Sequence, residues 1–170
     1  MDSGEKTFNH EKIRFDGVVR PPLEKDLPEI KKVLEQWIMQ EEGVRTTIDS
    51  LKHSLSGKCD RIYRVAENRE GRIVGIMGIR PVSAVLRGCI KDVNIVELVS
   101  AYVDSENRPG FGVGTVLFES LEKAAVENGY ERIVVTSGIA AKPSWQGEIS
   151  GSTAAGGKIG GGNVDIYLKQ

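Results

Sequence analysis

Apolar and polar residues change period several times along the chain, and each change marks an element. Ile13, Phe15, Val18 and Val19 give residues 12–21 strand character, which Pro21 and Pro22 end. Leu27, Ile30, Val33, Leu34, Trp37 and Ile38 then recur at helical spacing, with Lys31, Lys32, Glu35 and Gln36 outside. That spacing predicts a helix over 26–40, with Asp26 as N-cap, Pro28 in the first turn and Glu41-Glu42-Gly43 as its stop. Trp37 is expected in the core. A second helix is expected from 46 or 47 to 55, where Ile48, Leu51 and Leu55 share one face and Gly57 follows.

The period then drops to two. Residues 61–67 alternate through Ile62, Tyr63, Val65 and Ala66, and residues 73–80 form a second apolar run. The turn Asn68-Arg69-Glu70-Gly71 joins them into a predicted hairpin. Gly75 and Gly78 weaken the second strand and mark bulges or places where backbone is closely approached. A looser connection over 81–92 leads to 93–103, apolar enough for a central strand covered on both faces. A helix is predicted over 113–128, with Val116, Leu117, Leu121, Ala124 and Ala125 buried and Gly129 at its C-terminus. A short buried strand over 131–137 follows and completes a βαβ unit.

The predicted order is β-α-α-β-β-β-α-β: an α/β chain with a mixed central sheet and flanking helices. Residues 1–11 are expected to be a mobile polar arm. The glycines of 147–162 argue against a long helix and predict a loop. Residues 144–149 could hold a short helical turn around Trp145, and 163–169 alternate as a closing strand.

Composition narrows the class. One hundred and seventy residues suit a single domain with a substantial core. A net charge of −1 offers no electrostatic case for nucleic acid or a membrane surface. No apolar run approaches a membrane span, and the polar first ten residues lack the apolar core of a signal peptide. Cys59 and Cys89 have no CxxC spacing and only His10 and His53 for company, which argues against a disulfide framework or a metal site. A reducing, cytoplasmic setting is the expectation.

The chemistry concentrates at 95–117, I-V-E-L-V-S-A-Y-V-D-S-E-N-R-P-G-F-G-V-G-T-V-L. A strand here feeds a glycine loop that opens a helix, whose first N–H groups lack intrahelical partners and carry partial positive charge. Such a site suits a phosphate, and Gly110, Gly112 and Gly114 would let an anion approach the amides. Three glycine motifs compete. A dinucleotide fingerprint needs a third glycine where Thr115 stands. A P-loop needs a lysine this loop lacks, and the later G-S-T-A-A-G-G-K has a surplus glycine and then Ile159.

The third motif fits better. Glu97, Leu98, Tyr102, Val103, Arg108, Gly112 and Gly114 fall into a pattern that resembles motif A of the GNAT superfamily of N-acetyltransferases. The loop Arg108-Pro109-Gly110-Phe111-Gly112-Val113-Gly114 is one residue longer than that family's usual loop. The element order matches the family fold over residues 12–138. The resemblance implies acetyl-CoA as co-substrate, with no metal. It implies that backbone groups of Ala101, Tyr102 and Val103 hold the pantetheine arm. It places the pyrophosphate on Arg108, Gly110, Phe111, Gly112, Val113, Gly114 and Thr115. Glu97 is the implied general base. The implied activity is acetyl transfer to a primary amine of a small molecule or peptide, with no nucleic-acid or membrane partner. A homodimer through short edge strands is compatible with the family's habits. Glu41 and Glu42 lie where relatives bind acceptors. The family's tyrosine acid has no match after Ser137, so the alternative is a non-catalytic acyl-CoA sensor or interaction domain.

Overall fold

The computed structural model describes residues 15–82, 94–107, 112–137, 153–159 and 162–168, the last two segments as backbone. Strand β1 is Gly17–Arg20, followed by a 3-10 turn at Glu24–Asp26 and helices α1, Leu27–Glu35, and α2, Glu41–Leu55. Strands β2, Ile62–Asn68, and β3, Ile73–Pro81, form the hairpin read from the sequence. Strand β4 is Ile95–Val103, helix α3 is Val113–Glu127 and β5 is Arg132–Ser137. Strands β6, Thr153–Ile159, and β7, Gly162–Leu168, close the chain.

One seven-stranded sheet runs β1-β2-β3-β4-β5-β7-β6. Every pair is antiparallel except β4 and β5, which are parallel because α3 carries the chain back between them. Helices α1 and α2 cover one face, where Ile30, Leu34, Val44 and Leu51 pack on Tyr63, Val65, Ile73 and Ile76. Helix α3 covers the other, where Val113, Leu117, Leu121 and Ala125 pack on Val74, Met77, Ile79, Val96 and Leu98. Each large aliphatic side chain buried this way contributes about 1.5–3 kcal/mol.

Five expectations need correction. The first helix ends at Glu35, and Glu41-Glu42-Gly43 opens α2 rather than stopping α1. The two carboxylates suit that place, because acidic groups are favoured at a helix N-terminus. Asp26 has helical dihedrals and does not cap α1; its carboxylate instead accepts from the Leu23 N–H at 2.7 Å and closes the 3-10 turn. Trp37 is 37% exposed rather than core. Residues 153–159, expected within a loop, form β6 against β7, because ladder pairing outweighs the poor strand propensity of the glycines there. Val116 is only partly buried, and Val113 takes its place against the sheet.

Gly75 and Gly78 both mark close approach. A Cβ at Gly75 would lie 3.0 Å from Leu117 Cδ1 and 3.0 Å from Val113 Cγ1, so α3 rests directly on the β3 backbone. A Cβ at Gly78 would lie 2.5 Å from Cδ1 of Tyr63, whose ring covers that position on the opposite face.

Candidate active site

The strand that begins the glycine-loop stretch is irregular where a ligand would need it to be. Strand β4 follows β3 along its whole length, but the register shifts between Ile76 and Gly78. Ile76 pairs with Tyr102 and Gly78 with Val99, so Ser100 and Ala101 together oppose Met77, which is a β-bulge. Ser100 carries the strain of it, with φ of 55° in the left-handed region that non-glycine residues seldom occupy.

On its other side β4 pairs with β5 only at Ile95, Val96 and Glu97. Strand β5 continues to Ser137, held along its other edge by β7 from Ile133 onward, but pairs with β4 no further than Val134. The two parallel strands therefore fork after Glu97 and Val134. From Leu98 to Val103, β4 has no ladder partner on the β5 side among the described residues. Buried backbone N–H and C=O groups need partners, and a ligand laid along β4 like an added strand would meet that need. Ala101, Tyr102 and Val103 lie on this free stretch. The Val103 carbonyl is already engaged, since it accepts from the Trp37 indole N–H at 2.7 Å. Together with a bond from the Ser105 N–H to Gln36 Oε1 at 2.9 Å, this pins the end of α1 to the end of β4.

Helix α3 starts at the same end of the fork. Gly112 is its N-cap, with φ of 71°, and its carbonyl accepts the first helical bond from Val116. Among the described residues no side chain caps this terminus, and its first turn holds no acidic residue. Its leading N–H groups, from Val113, Gly114 and Thr115, are thus left for an anion. Arg108, Gly110 and Phe111, the other expected phosphate contacts, lie outside the described residues. An uncapped, glycine-flanked helix start beside an unpaired strand edge fits an extended ligand with an anionic end. Among the described residues, no group of His, Cys, Asp and Glu could hold a metal ion.

Glu97 sits at the crotch of the fork, as the last β4 residue paired to β5. It is 5% exposed. Its cross-strand neighbour is Arg80, whose Nε donates to Glu97 Oε2 at 3.1 Å. Arg80 supplies the counter-charge that a buried carboxylate needs. Val96 and Leu98 point to α3, so Glu97 lies on the opposite face of the sheet, with α1 and α2. Tyr102 packs on that face as well, and burial pushes its phenol above the ordinary tyrosine value. Glu41 and Glu42 are exposed at the start of α2, where Glu42 makes a long surface ion pair with Arg45.

The structure thus brings Ala101, Tyr102, Val103, Gly112, Val113, Gly114 and Thr115 to the open end of the fork, and leaves Glu97 at its closed end on the sheet face opposite α3. The sequence reading missed two features. Arg80 stands seventeen positions from Glu97, and only the strand register brings them together. The Ser100 bulge has no glycine to announce it.

Comparison with known proteins bears on this geometry. Residues 29–146 match the family model described as the acetyltransferase (GNAT) family. An acetyltransferase of the GNAT family from Desulfovibrio desulfuricans superposes with a TM-score of 0.70 at 16% identity, over 90% of this chain and 98% of that one. The GNAT family N-acetyltransferase YhbS from Escherichia coli, solved in complex with CoA, gives 0.66 at 17% identity, over 91% and 82%. Ribosomal-protein-alanine N-acetyltransferase from Brucella melitensis gives 0.65 at 22%, over 89% and 98%. Comparison with curated proteins finds no match.

Proposed function

Because the chain belongs to the GNAT acetyltransferase family, we propose that it moves an acetyl group from acetyl-CoA to a primary amine. The observation that carries this reading is the fork between β4 and β5 with the uncapped start of α3 at its open end. Backbone groups of Ala101 and the remaining capacity of Val103, which face away from β3 on either side of Tyr102, would hold the amide-bearing pantetheine arm. The amides of Gly112, Val113, Gly114 and Thr115, with Arg108, Gly110 and Phe111, would hold the pyrophosphate. CoA bound to the E. coli relative supports the assignment.

Bound acetyl-CoA supplies an activated thioester. This chain must then orient the amine, take its proton and exclude water. Glu97 would take that proton, a role supported by its position on the face opposite α3 where the strands part. The Arg80 guanidinium donates to one of its oxygens, which helps to fix the carboxylate for that role.

Titration calorimetry with CoA and acetyl-CoA, followed by mass spectrometry of a panel of amines incubated with acetyl-CoA, tests the reading. Binding with a product 42 Da heavier than its amine, the mass an acetyl group adds (about 42 Da), is expected. Binding without product on any amine would favour an acyl-CoA sensor. Absence of CoA binding would remove the fork from the account.

A further inference from the structure

One polar atom in the core is unaccounted for. Tyr63 is 2% exposed, and its hydroxyl is the one buried side-chain polar atom among the described residues with no hydrogen-bond partner. Buried hydroxyls are nearly always satisfied, and leaving one orphaned is costly. Its placement is specific. Tyr63 pairs with Gly78, and Gly78 pairs with Val99 of β4. The Tyr63 ring lies over the place where a Gly78 side chain would be, with Cδ1 and Cε1 at 2.5 and 2.6 Å from that notional Cβ. The missing side chain lets the ring lean across β3, which carries the hydroxyl toward β4. Val99 is two residues from Glu97 and next to the strained Ser100. Tyr63, Gly78, Arg80, Glu97 and Val99 share the α1–α2 face, because residues two apart on a strand do so and cross-strand partners match.

We propose that the Tyr63 hydroxyl is a specificity contact for the acyl acceptor, hydrogen-bonding a second polar group that lies beside the amine facing Glu97. This rests on the acetyltransferase reading above. The acceptor class it selects is an amine with an amide, hydroxyl or second amine close to the reacting nitrogen. A plain alkylamine would leave the hydroxyl orphaned in the complex, as it is in the free protein. Sites that read a polar group this way discriminate against analogues that lack it.

The test compares the wild-type chain with Tyr63→Phe, which keeps the ring over Gly78. Acetylation is followed with the small amines glycinamide and n-propylamine, and with spermidine and an alanine-initiated peptide. Thermal unfolding is measured alongside. Wild type should prefer glycinamide over propylamine. Tyr63→Phe should lower kcat/KM for glycinamide about tenfold, the worth of one neutral hydrogen bond. Its kcat/KM for propylamine and its KM for acetyl-CoA should change less than about twofold, and its melting temperature should hold or rise. Equal kinetics of the two proteins on every active amine would overturn the contact and leave the acetyltransferase reading standing. A lower melting temperature with unchanged amine preference would show that the hydroxyl is satisfied inside the free protein, and would also overturn it. A wild-type protein that acetylates none of the four amines would sink the catalytic reading and the Tyr63 contact with it.

Discussion

Gly75 is where the helix that opens the site rests on the sheet, and substitution there pits two effects of opposite sign against each other. Gly75→Ala and Gly75→Val both reduce the freedom of the unfolded chain, and valine suits a strand. On these grounds alone each change would stabilise by about 0.4–1 kcal/mol. The structure argues the reverse. The new Cβ would meet Leu117 Cδ1 and Val113 Cγ1 at 3.0 Å each and the Tyr102 carbonyl at 3.4 Å. Leu117 is 0% and Val113 1% exposed, so neither terminal carbon has free space to move into. Overpacking of a closed core costs about 1–3 kcal/mol. Set against the entropic gain, Gly75→Ala should cost about 1–2 kcal/mol, and Gly75→Val, with two further methyls, about 3 kcal/mol or more. Urea unfolding of the three proteins would measure the series. For a chain of this size about 2–4 °C of melting temperature accompanies each kcal/mol. Because Val113 is the first residue of α3, both variants should also weaken CoA binding, valine more than alanine. A Gly75→Val protein as stable as wild type, or more stable than Gly75→Ala, would refute the close seating of α3.

Three further outcomes are expected. Asp26→Asn should destabilise by about 2–4 kcal/mol, since Asp26 is buried and accepts from both Arg20 terminal nitrogens, at 2.7 and 2.9 Å. The hydrogen bonds from Arg20 hold the Asp26 carboxyl below its usual value, so its contribution is full above about pH 4 and is lost as pH falls further. The stability gap between wild type and Asp26→Asn, from urea midpoints, should therefore narrow below pH 4; a constant gap would deny the ion pair. Glu97→Gln should lower kcat/KM by about 10²–10⁴ with acetyl-CoA affinity kept, as expected for loss of a general base; an unchanged rate would remove Glu97 from that role. Gly112→Glu should abolish CoA binding by setting a carboxylate at the helix start, whereas Gly112→Ala, which shares the strain of a φ of 71°, should weaken it only modestly; equal affinities by calorimetry would take this turn out of the binding site.

What could be read in advance follows the range of the interactions. Elements whose signals are local came through: the Asn68–Gly71 turn between β2 and β3, the α3 stripe of Leu117, Leu121 and Ala125, and the left-handed Gly129 after that helix. The β4–α3–β5 unit came through because its apolar runs are long. The start of α2 did not, since Glu41-Glu42-Gly43 carries a breaker in a first turn that the adjacent helix dipole tolerates. Trp37 has the spacing of a core residue, yet its indole N–H is drawn to the Val103 carbonyl, sixty-six positions away, and the ring stays partly in water. Strand β6 did not, because its pairing with β7 is tertiary. Of the candidate site, Glu97 and the helix start could be named from the sequence, whereas the Arg80 partner and the Tyr63 placement depend on strand register and could not.

The fork and the bulge have one physical origin, and that explains why the candidate base sits where it does. A bulge adds a residue to one strand, bends it and increases its twist. Here the extra residue lies in β4, while β3 holds β4 on both sides of it, through Gly78 with Val99 and Ile76 with Tyr102. Strand β5 has no matching irregularity that would let it follow, and β7 holds its outer edge from Ile133 to Ser137. Strand β4 therefore turns with β3, and β5 stays with β7. The tear between them begins at the last pair before the bend, Glu97 with Val134. The sheet cannot open there without ending β5 pairing at Glu97, so the position of the carboxylate and the opening of the cleft are set together by Ser100. Deleting the single residue Ser100 should restore register with β3, draw β4 back toward β5 and abolish CoA binding while the chain remains folded. Folded protein that keeps full CoA affinity after that deletion would separate the bulge from the cleft.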